Sequence, residues 1–428
     1  MRMIHILAAA LALAAPAGAA ARDGIAGRWI GEAWLREDRM PIELQLRQSG
    51  DSLSAELMLP EMIWRSHVEA AALPDGVEVS LPFGLGPIPL DLSEPGHVLA
   101  SRPDGLRITL RRAPDRPYSV EEMTVPTPAG PLAATLYLPS DAQNLPGIVL
   151  AGGALAESRH HRSVAAWCHH FVRRRIACLV ADRRPDGSGP AGTSDLDRDA
   201  RELALAIRFL RDHDSVDGGR VGLAGFSRGG WAALRAAGED RSLAFLLLVA
   251  APALSPAATE WRSIRARMEA AGRTADEIAQ ARLYHDLYFD VAAGRRSWPL
   301  LDRAARAVEG TELGEFLDQP LEPAHLDFWR RNAAFDNAAD LPRIAAPVLA
   351  LWGAADLVVP PGTHEPLLRA GLRAAGSVDT LVFANADHSL EVQPGADALG
   401  VWRWPSRAPR LLPALDEWLV AHLGASDD

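Results

Sequence analysis

The residues best suited to covalent chemistry lie in Gly225-Phe226-Ser227-Arg228-Gly229. This G-x-S-x-G spacing suits a nucleophilic serine on a sharp turn, where glycines on either side leave room for neighbouring chain. With 35 glycines in 428 residues, such a pentapeptide can arise by chance, so its setting has to decide. The apolar run Val221-Gly222-Leu223-Ala224 precedes it, and a helical pattern begins near Gly229-Gly230-Trp231. That is the strand–turn–helix setting an exposed nucleophile requires, and the N-terminus of the helix favours developing negative charge.

A serine hydroxyl needs a base, and the chain offers thirteen histidines. His388, in Asn385-Ala386-Asp387-His388-Ser389, follows the expected strand Thr380–Phe383, so its loop can reach a serine at the carboxyl edge of a sheet. His160, His161, His169 and His170 fall in or before a crossover helix, and His285, His325 and His422 fall on helical patterns. The doublets do not form a metal set, since no acidic or cysteine partner has ligand spacing. The base in turn needs a carboxylate to orient it. Asp356 ends the strand Val348–Trp352 through Gly353-Ala354-Ala355 and is preferred over Asp387, because adjacent side chains rarely point the same way. Backbone N–H groups are expected to hold the oxyanion. Arg228, directly after the nucleophile, supplies one; Ala154, in Gly152-Gly153-Ala154-Leu155 after the strand Ile148–Ala151, is the first choice for the other and Leu155 the second.

The elements that must carry these residues change character along the chain. Residues 24–113 alternate apolar and polar positions in short runs (Ile42, Leu44, Leu46; Leu53, Ala55, Leu57, Leu59; Leu106, Ile108, Leu110) separated by Gly and Pro. Period-two alternation predicts a small antiparallel β-domain. Ala113-Pro114-Asp115-Arg116-Pro117 reads as a linker. Residues 118–425 then alternate strands with helices. Strands are expected at Val120–Val125, Leu132–Leu138, Ile148–Ala151, Ile176–Ala181, Val221–Phe226, Leu243–Ala251, Val348–Trp352 and Thr380–Phe383. Helices are expected at Ser163–Arg174, Asp197–Arg211, Gly229–Ala237 and Leu411–Leu423. Continuously apolar strands between helices imply a mostly parallel sheet buried on both faces. Between residues 255 and 341 the alternation stops and only helical patterns remain, which predicts a helical cap inserted between two sheet strands.

These stretches together resemble α/β-hydrolases of the carboxylesterase and dienelactone-hydrolase-like group. The resemblance rests on Val149-Leu150-Ala151-Gly152-Gly153, Ala181-Asp182-Arg183-Arg184, Gly225-Phe226-Ser227-Arg228-Gly229-Gly230-Trp231, the run Pro347–Asp356, and Asp387-His388. It implies an α/β-hydrolase fold, a catalytic triad of Ser227, Asp356 and His388, no metal or organic cofactor, and hydrolysis of a small-molecule acyl ester. Thioesters, lactones and peptides are the alternative substrates, and an inactive binding scaffold the alternative class. In that group the Asp182-Arg183-Arg184 region forms a structural turn near the site. Many relatives carry His-Gly where this chain has Gly152-Gly153.

Composition narrows the remaining classes. All 44 basic residues are Arg, which excludes a Ser-Lys dyad, a Schiff-base lysine and a Walker-type phosphate loop. A net charge of −11 argues against nucleic acid as a partner. Residues 1–19 read as a signal peptide: Arg2, an apolar stretch from Ile4 to Ala15 too short to span a bilayer, and Ala17-Gly18-Ala19 as a small-x-small cleavage site. Export to the periplasm or medium is therefore expected, with no integral membrane segment; the sequence is compatible with a homo-oligomer. Cys168 and Cys178 both fall in apolar contexts and read as two buried free thiols rather than a bridge.

Overall fold

The computed structural model describes residues 25–424 except 51, 93, 95, 155–157, 185–194, 318, 320, 322, 333–334 and 393–403. The expected signal peptide and Leu155 lie outside the described residues.

The chain packs as two compact units. Of the described residues, the first comprises those up to Leu59 together with Ser66–Asp115; the second comprises Pro60–Arg65 and those from Arg116 onward. Nine strands form one sheet: β1 (Gly27–Leu35), β2 (Asp38–Ser49), β3 (Ser52–Leu59), β4 (Trp64–Val68), β5 (Ala70–Leu73), β6 (Gly76–Leu81), β7 (Gly86–Asp91), β8 (His97–Ser101) and β9 (Leu106–Ala113). Their order is β4-β3-β2-β1-β9-β8-β7-β6-β5, and from β3 to β5 along that order every pairing is antiparallel. In β9, Leu106, Ile108 and Leu110 are buried while Arg107, Thr109 and Arg111 face water, as the period-two pattern predicts.

The second unit is built on an eight-stranded sheet: β10 (Tyr118–Val125), β11 (Leu132–Pro139), β12 (Leu145–Ala151), β13 (Ala177–Ala181), β14 (Val216–Phe226), β15 (Leu246–Val249), β16 (Val348–Gly353) and β17 (Val378–Phe383). The order is β10-β11-β13-β12-β14-β15-β16-β17. The first two strands pair antiparallel with each other, and β11 pairs antiparallel with β13. From β13 to β17 all pairings are parallel. Every residue of β12 and of β16 is buried, because helices cover both faces. Alternate side chains feed two separate cores. Leu349 and Leu351 join α1 (Arg162–Arg173) and α9 (Leu411–Leu423) on one face. Val348, Ala350 and Trp352 join α2 (Leu196–Arg211), α3 (Arg228–Glu239) and α8 (Pro361–Gly371) on the other.

Between β15 and β16 the chain forms α4 (Pro256–Ala270), α5 (Ala275–Ala292), α6 (Trp298–Val308) and α7 (Pro323–Asn332). This is the predicted helical insertion. It has its own core, centred on Ile264, Met268, Tyr288, Phe289 and Leu301. Helix α5 starts at a capping box, Thr274 with Glu277, which satisfies two backbone donors reciprocally.

One expectation is overturned. Cys168 and Cys178 form a disulfide, with Cα atoms 5.3 Å apart. Cys168 is on the buried face of α1 and Cys178 on β13, the strand that α1 covers. The sequence placed both in apolar surroundings; it did not reveal that the turn after α1 brings their Cα atoms within bridging distance.

Candidate active site

Parallel strands end at a common edge, and the loops leaving β12, β13, β14, β16 and β17 gather there. Ser227 follows β14 directly. Its backbone sits at φ 48°, ψ −121°, outside the regions an L-residue prefers, as a tight strand-to-helix turn demands. The turn is fixed by hydrogen bonds from the Ser227 N–H to the Val249 carbonyl (2.8 Å) and from the Gly230 N–H to the Ser227 carbonyl (2.8 Å). At Gly229 a Cβ atom would stand 2.2 Å from the Ala151 oxygen and 2.6 Å from that of Gly152, so only glycine lets the end of β12 approach. Ser227 occupies the N-cap position of α3 yet makes no capping bond. A serine there normally accepts from the next turn's N–H groups. Its Oγ instead lies 2.9 Å from His388 Nε2.

His388 Nδ1 is 2.8 Å from Asp356 Oδ2. An ionised carboxylate only accepts, so Nδ1 carries the proton and Nε2 faces the serine hydroxyl as an acceptor. The Asp356 side chain is fully buried. Its second oxygen, Oδ1, accepts from the Val358 and Val359 N–H groups, both at 2.8 Å, so the carboxylate cannot rotate away. The loops carrying the acid and the base are stitched together by backbone: Ala355 N–H donates to Ala386 (2.9 Å) and Ala354 N–H to Phe383 (2.8 Å). At Gly353 a Cβ would lie 2.1 Å from the Ala386 oxygen, so this contact also depends on glycine. The carboxylate on His388 Nδ1 is that of Asp356, not of the adjacent Asp387. The Asp387 carboxylate accepts from the Ser389 and Glu391 N–H groups and closes the turn behind His388. Arg407 braces that turn from beneath, donating to the Ser389, Met62 and Ile63 carbonyls and pairing with Glu391.

The structure thus brings Ser227, His388 and Asp356 into one hydrogen-bonded line. Arg228 opens α3, and its guanidinium stacks 4.2 Å over the Phe328 ring of α7. The helical insertion therefore reaches the residue next to the serine. Ala154 lies in the turn after β12, exposed, with its carbonyl and that of Gly153 held by Arg183. Residue-by-residue reading of the sequence missed His364. This side chain is wholly buried in α8, and its Nδ1 accepts from the Ala253 N–H (3.0 Å) at the start of the cap. Burial pushes its pKa down to about 4, opposed by the nearby Asp356 charge. A histidine one turn into a helix, eight residues past the acid, carries no motif that would have marked it. Among the described residues no group of three or more His, Cys, Asp or Glu is placed to hold a metal ion. None of their helices is long and apolar enough to cross a membrane.

Over 118 residues the chain is 34% identical to the quorum-quenching protein AidA of Acinetobacter baumannii, covering 27% of this chain and 38% of that one. Over 146 residues it is 29% identical to acyl-coenzyme A thioesterase 6 of Homo sapiens, covering 32% of this chain and 29% of that one. The chain thus spans about a third of the length of these curated relatives. A solved esterase of Pyrococcus furiosus superposes with a TM-score of 0.46 at 14% identity, over 72% of this chain and 94% of that one. The sequence profile of the Alpha/beta hydrolase family matches residues 148–421, which run from β12 into α9 and include all three residues of the hydrogen-bonded line. The chain belongs to the alpha/beta hydrolase family.

Proposed function

We propose that the protein is a serine hydrolase that cleaves carboxylic esters through an acyl-enzyme. The observation that carries this reading is the continuous line from Asp356 Oδ2 through His388 to Ser227 Oγ, at 2.8 and 2.9 Å. Ser227 Oγ attacks the ester carbonyl while His388 Nε2 takes its proton. Asp356 holds the imidazole tautomer and stabilises the imidazolium that forms. The N–H groups of Arg228 and Ala154 hold the oxyanion, a contribution of roughly 3–4 kcal/mol per donor in comparable sites. His388 returns the proton to the leaving alcohol, then activates the water that releases the acid.

Reaction with a fluorophosphonate probe tests the nucleophile: labelling at Ser227 in the native protein and none in Ser227→Ala is expected, and labelling elsewhere would refute the reading. A second substrate class is favoured by the local identity to an acyl-coenzyme A thioesterase. The same three residues would attack a thioester, and kcat/KM compared across matched esters and thioesters of graded acyl length decides between them. Export is part of the proposal. The Cys168–Cys178 disulfide supports it, since such bonds persist in oxidising compartments. N-terminal sequencing of the mature protein should begin at Ala20.

A further inference from the structure

We infer that Arg183 is a positioning residue for the oxyanion, gripping the loop after β12 so that the Ala154 N–H is presented to the reacting carbonyl. The inference rests on the serine-hydrolase reading and deepens it. Arg183 follows β13, the strand beside β12 in the sheet. Its Nη1 donates to the Gly153 carbonyl at 3.0 Å and its Nη2 to the Ala154 carbonyl at 2.8 Å. A guanidinium is a rigid planar fork, so two bonds to consecutive carbonyls fix the loop's orientation as well as its position. There is no cis peptide bond among the described residues, so the C=O of Gly153 and the N–H of Ala154 point in opposite directions across one planar unit. With the carbonyl turned to Arg183, the N–H is turned away from it.

The opposite flank of the loop meets the nucleophile. The place of a Cβ on Gly153 is 3.6 Å from Ser227 Cβ and 3.6 Å from the Phe226 oxygen. The loop is also held further along. Asp182, one residue before Arg183, accepts from the Arg159 N–H at 2.7 Å and pairs with its guanidinium. Arg159 in turn pairs with Glu122 of β10. Adjacent residues at the end of β13 therefore hold the loop at two points, one by a cation on carbonyls and one by an anion on an N–H. The cation does more than hold. A positive charge at the oxygen end of a peptide draws electron density from its nitrogen, which makes the N–H a stronger donor. Where many relatives carry His-Gly, this chain has Gly152-Gly153, a pair without side-chain hydrogen bonds of its own; the brace comes from the neighbouring strand instead.

The test uses the full-length protein, a p-nitrophenyl ester of short acyl chain, a fluorophosphonate and an aryl boronic acid. The boronate forms a tetrahedral adduct whose oxygen occupies the oxyanion position. Arg183→Ala should lower kcat about 10- to 100-fold with KM within about twofold, and weaken the boronate in proportion to the loss in kcat/KM. Arg183→Lys, which keeps the charge but cannot grip both carbonyls, should fall between the two. Added guanidinium ion should restore part of the kcat of Arg183→Ala. Unchanged kcat in Arg183→Ala would overturn the inference, as would a loss in kcat with undiminished boronate affinity. Melting temperatures of both variants separate misfolding from misplacement, and unfolding of Arg183→Ala leaves Arg183→Lys to decide by the same two measurements. If the native protein is not labelled by fluorophosphonate at Ser227, the serine reading itself fails, which is a separate result.

Discussion

The two sheets of this protein are built from similar numbers of strands and similar residue types, yet only one gathers reactive groups. In the nine-stranded sheet β1 runs opposite to β2 and β2 opposite to β3, so successive connections fall at opposite ends: β1 turns into β2 at Leu35–Asp38, and β2 into β3 at Ser49–Ser52. Its strand β9 buries alternate side chains and wets those between. In the sheet of the second unit, β12 to β17 run parallel, so the loops that follow them all emerge at one edge. Ser227, Asp356 and His388, 161 positions apart at the extremes, meet because each lies on the loop that follows a strand of that set. Parallel topology concentrates chemistry; antiparallel topology spreads its loops.

That contrast can be broken by experiment. The largest effect should come at the parallel edge. Ser227→Ala should reduce ester turnover by roughly 10⁵–10⁶-fold with an unchanged circular dichroism spectrum, measured against a panel of aryl esters. Asp356→Asn should cost roughly 10³–10⁴-fold in kcat, because the amide can hold His388 in the wrong tautomer. A variant that kept most of its activity would remove Asp356 from the mechanism. In the antiparallel sheet the expected effect is on stability alone. Ile108 is 2% exposed, so Ile108→Ala should cost about 2–5 kcal/mol in urea unfolding while turnover per folded molecule stays the same. A fall in kcat there would mean that the two sheets are not separable in function.

The smallest effect concerns His364. Its folded pKa of about 4 lies below the 6.5 of an unconstrained imidazole. The unfolded chain therefore binds more protons between these values. The stability is complete above pH 6.5 and declines as pH falls to about 4, by about 3 kcal/mol in all. Asp356 and Arg262 are the charged groups acting on the ring. His364→Gln keeps an acceptor for the Ala253 N–H and should flatten that dependence, read as urea midpoints at pH 7 and pH 5. An equally steep decline in the variant would assign the acid sensitivity elsewhere.

Much of this was readable in advance for definite reasons. Period-two runs such as Leu106-x-Ile108-x-Leu110 announce a half-wet strand, and continuous runs such as Val348–Trp352 announce a strand covered on both sides. The serine stood out because the turn that exposes it also demands glycines at fixed offsets. The acid and base could be chosen because both follow strands. Other features had no such signature. Met62 and Ile63 look like any strand residues of the first unit, yet Pro60–Arg65 packs with the second, where Arg407 binds their carbonyls. The family resemblance implied no more than a structural turn at Asp182-Arg183-Arg184, because a guanidinium gripping backbone carbonyls leaves no pattern in the residues it grips.

By itself the sequence determined the class of fold, the alternation of strands and helices that carries it, the place of the helical insertion and three candidate residues. These follow from short-range rules: side-chain periodicity, turn chemistry and the offset of a polar residue from the end of a strand. Tertiary structure decided what depends on distance between remote segments. It joined Cys168 to Cys178, gave the second oxygen of Asp356 to the Val358 and Val359 N–H groups, set Phe328 of the cap against Arg228, and put Arg183 behind the loop of Ala154. A hydrogen bond or a disulfide is made within a few ångströms, and only the packed sheet sets positions that finely.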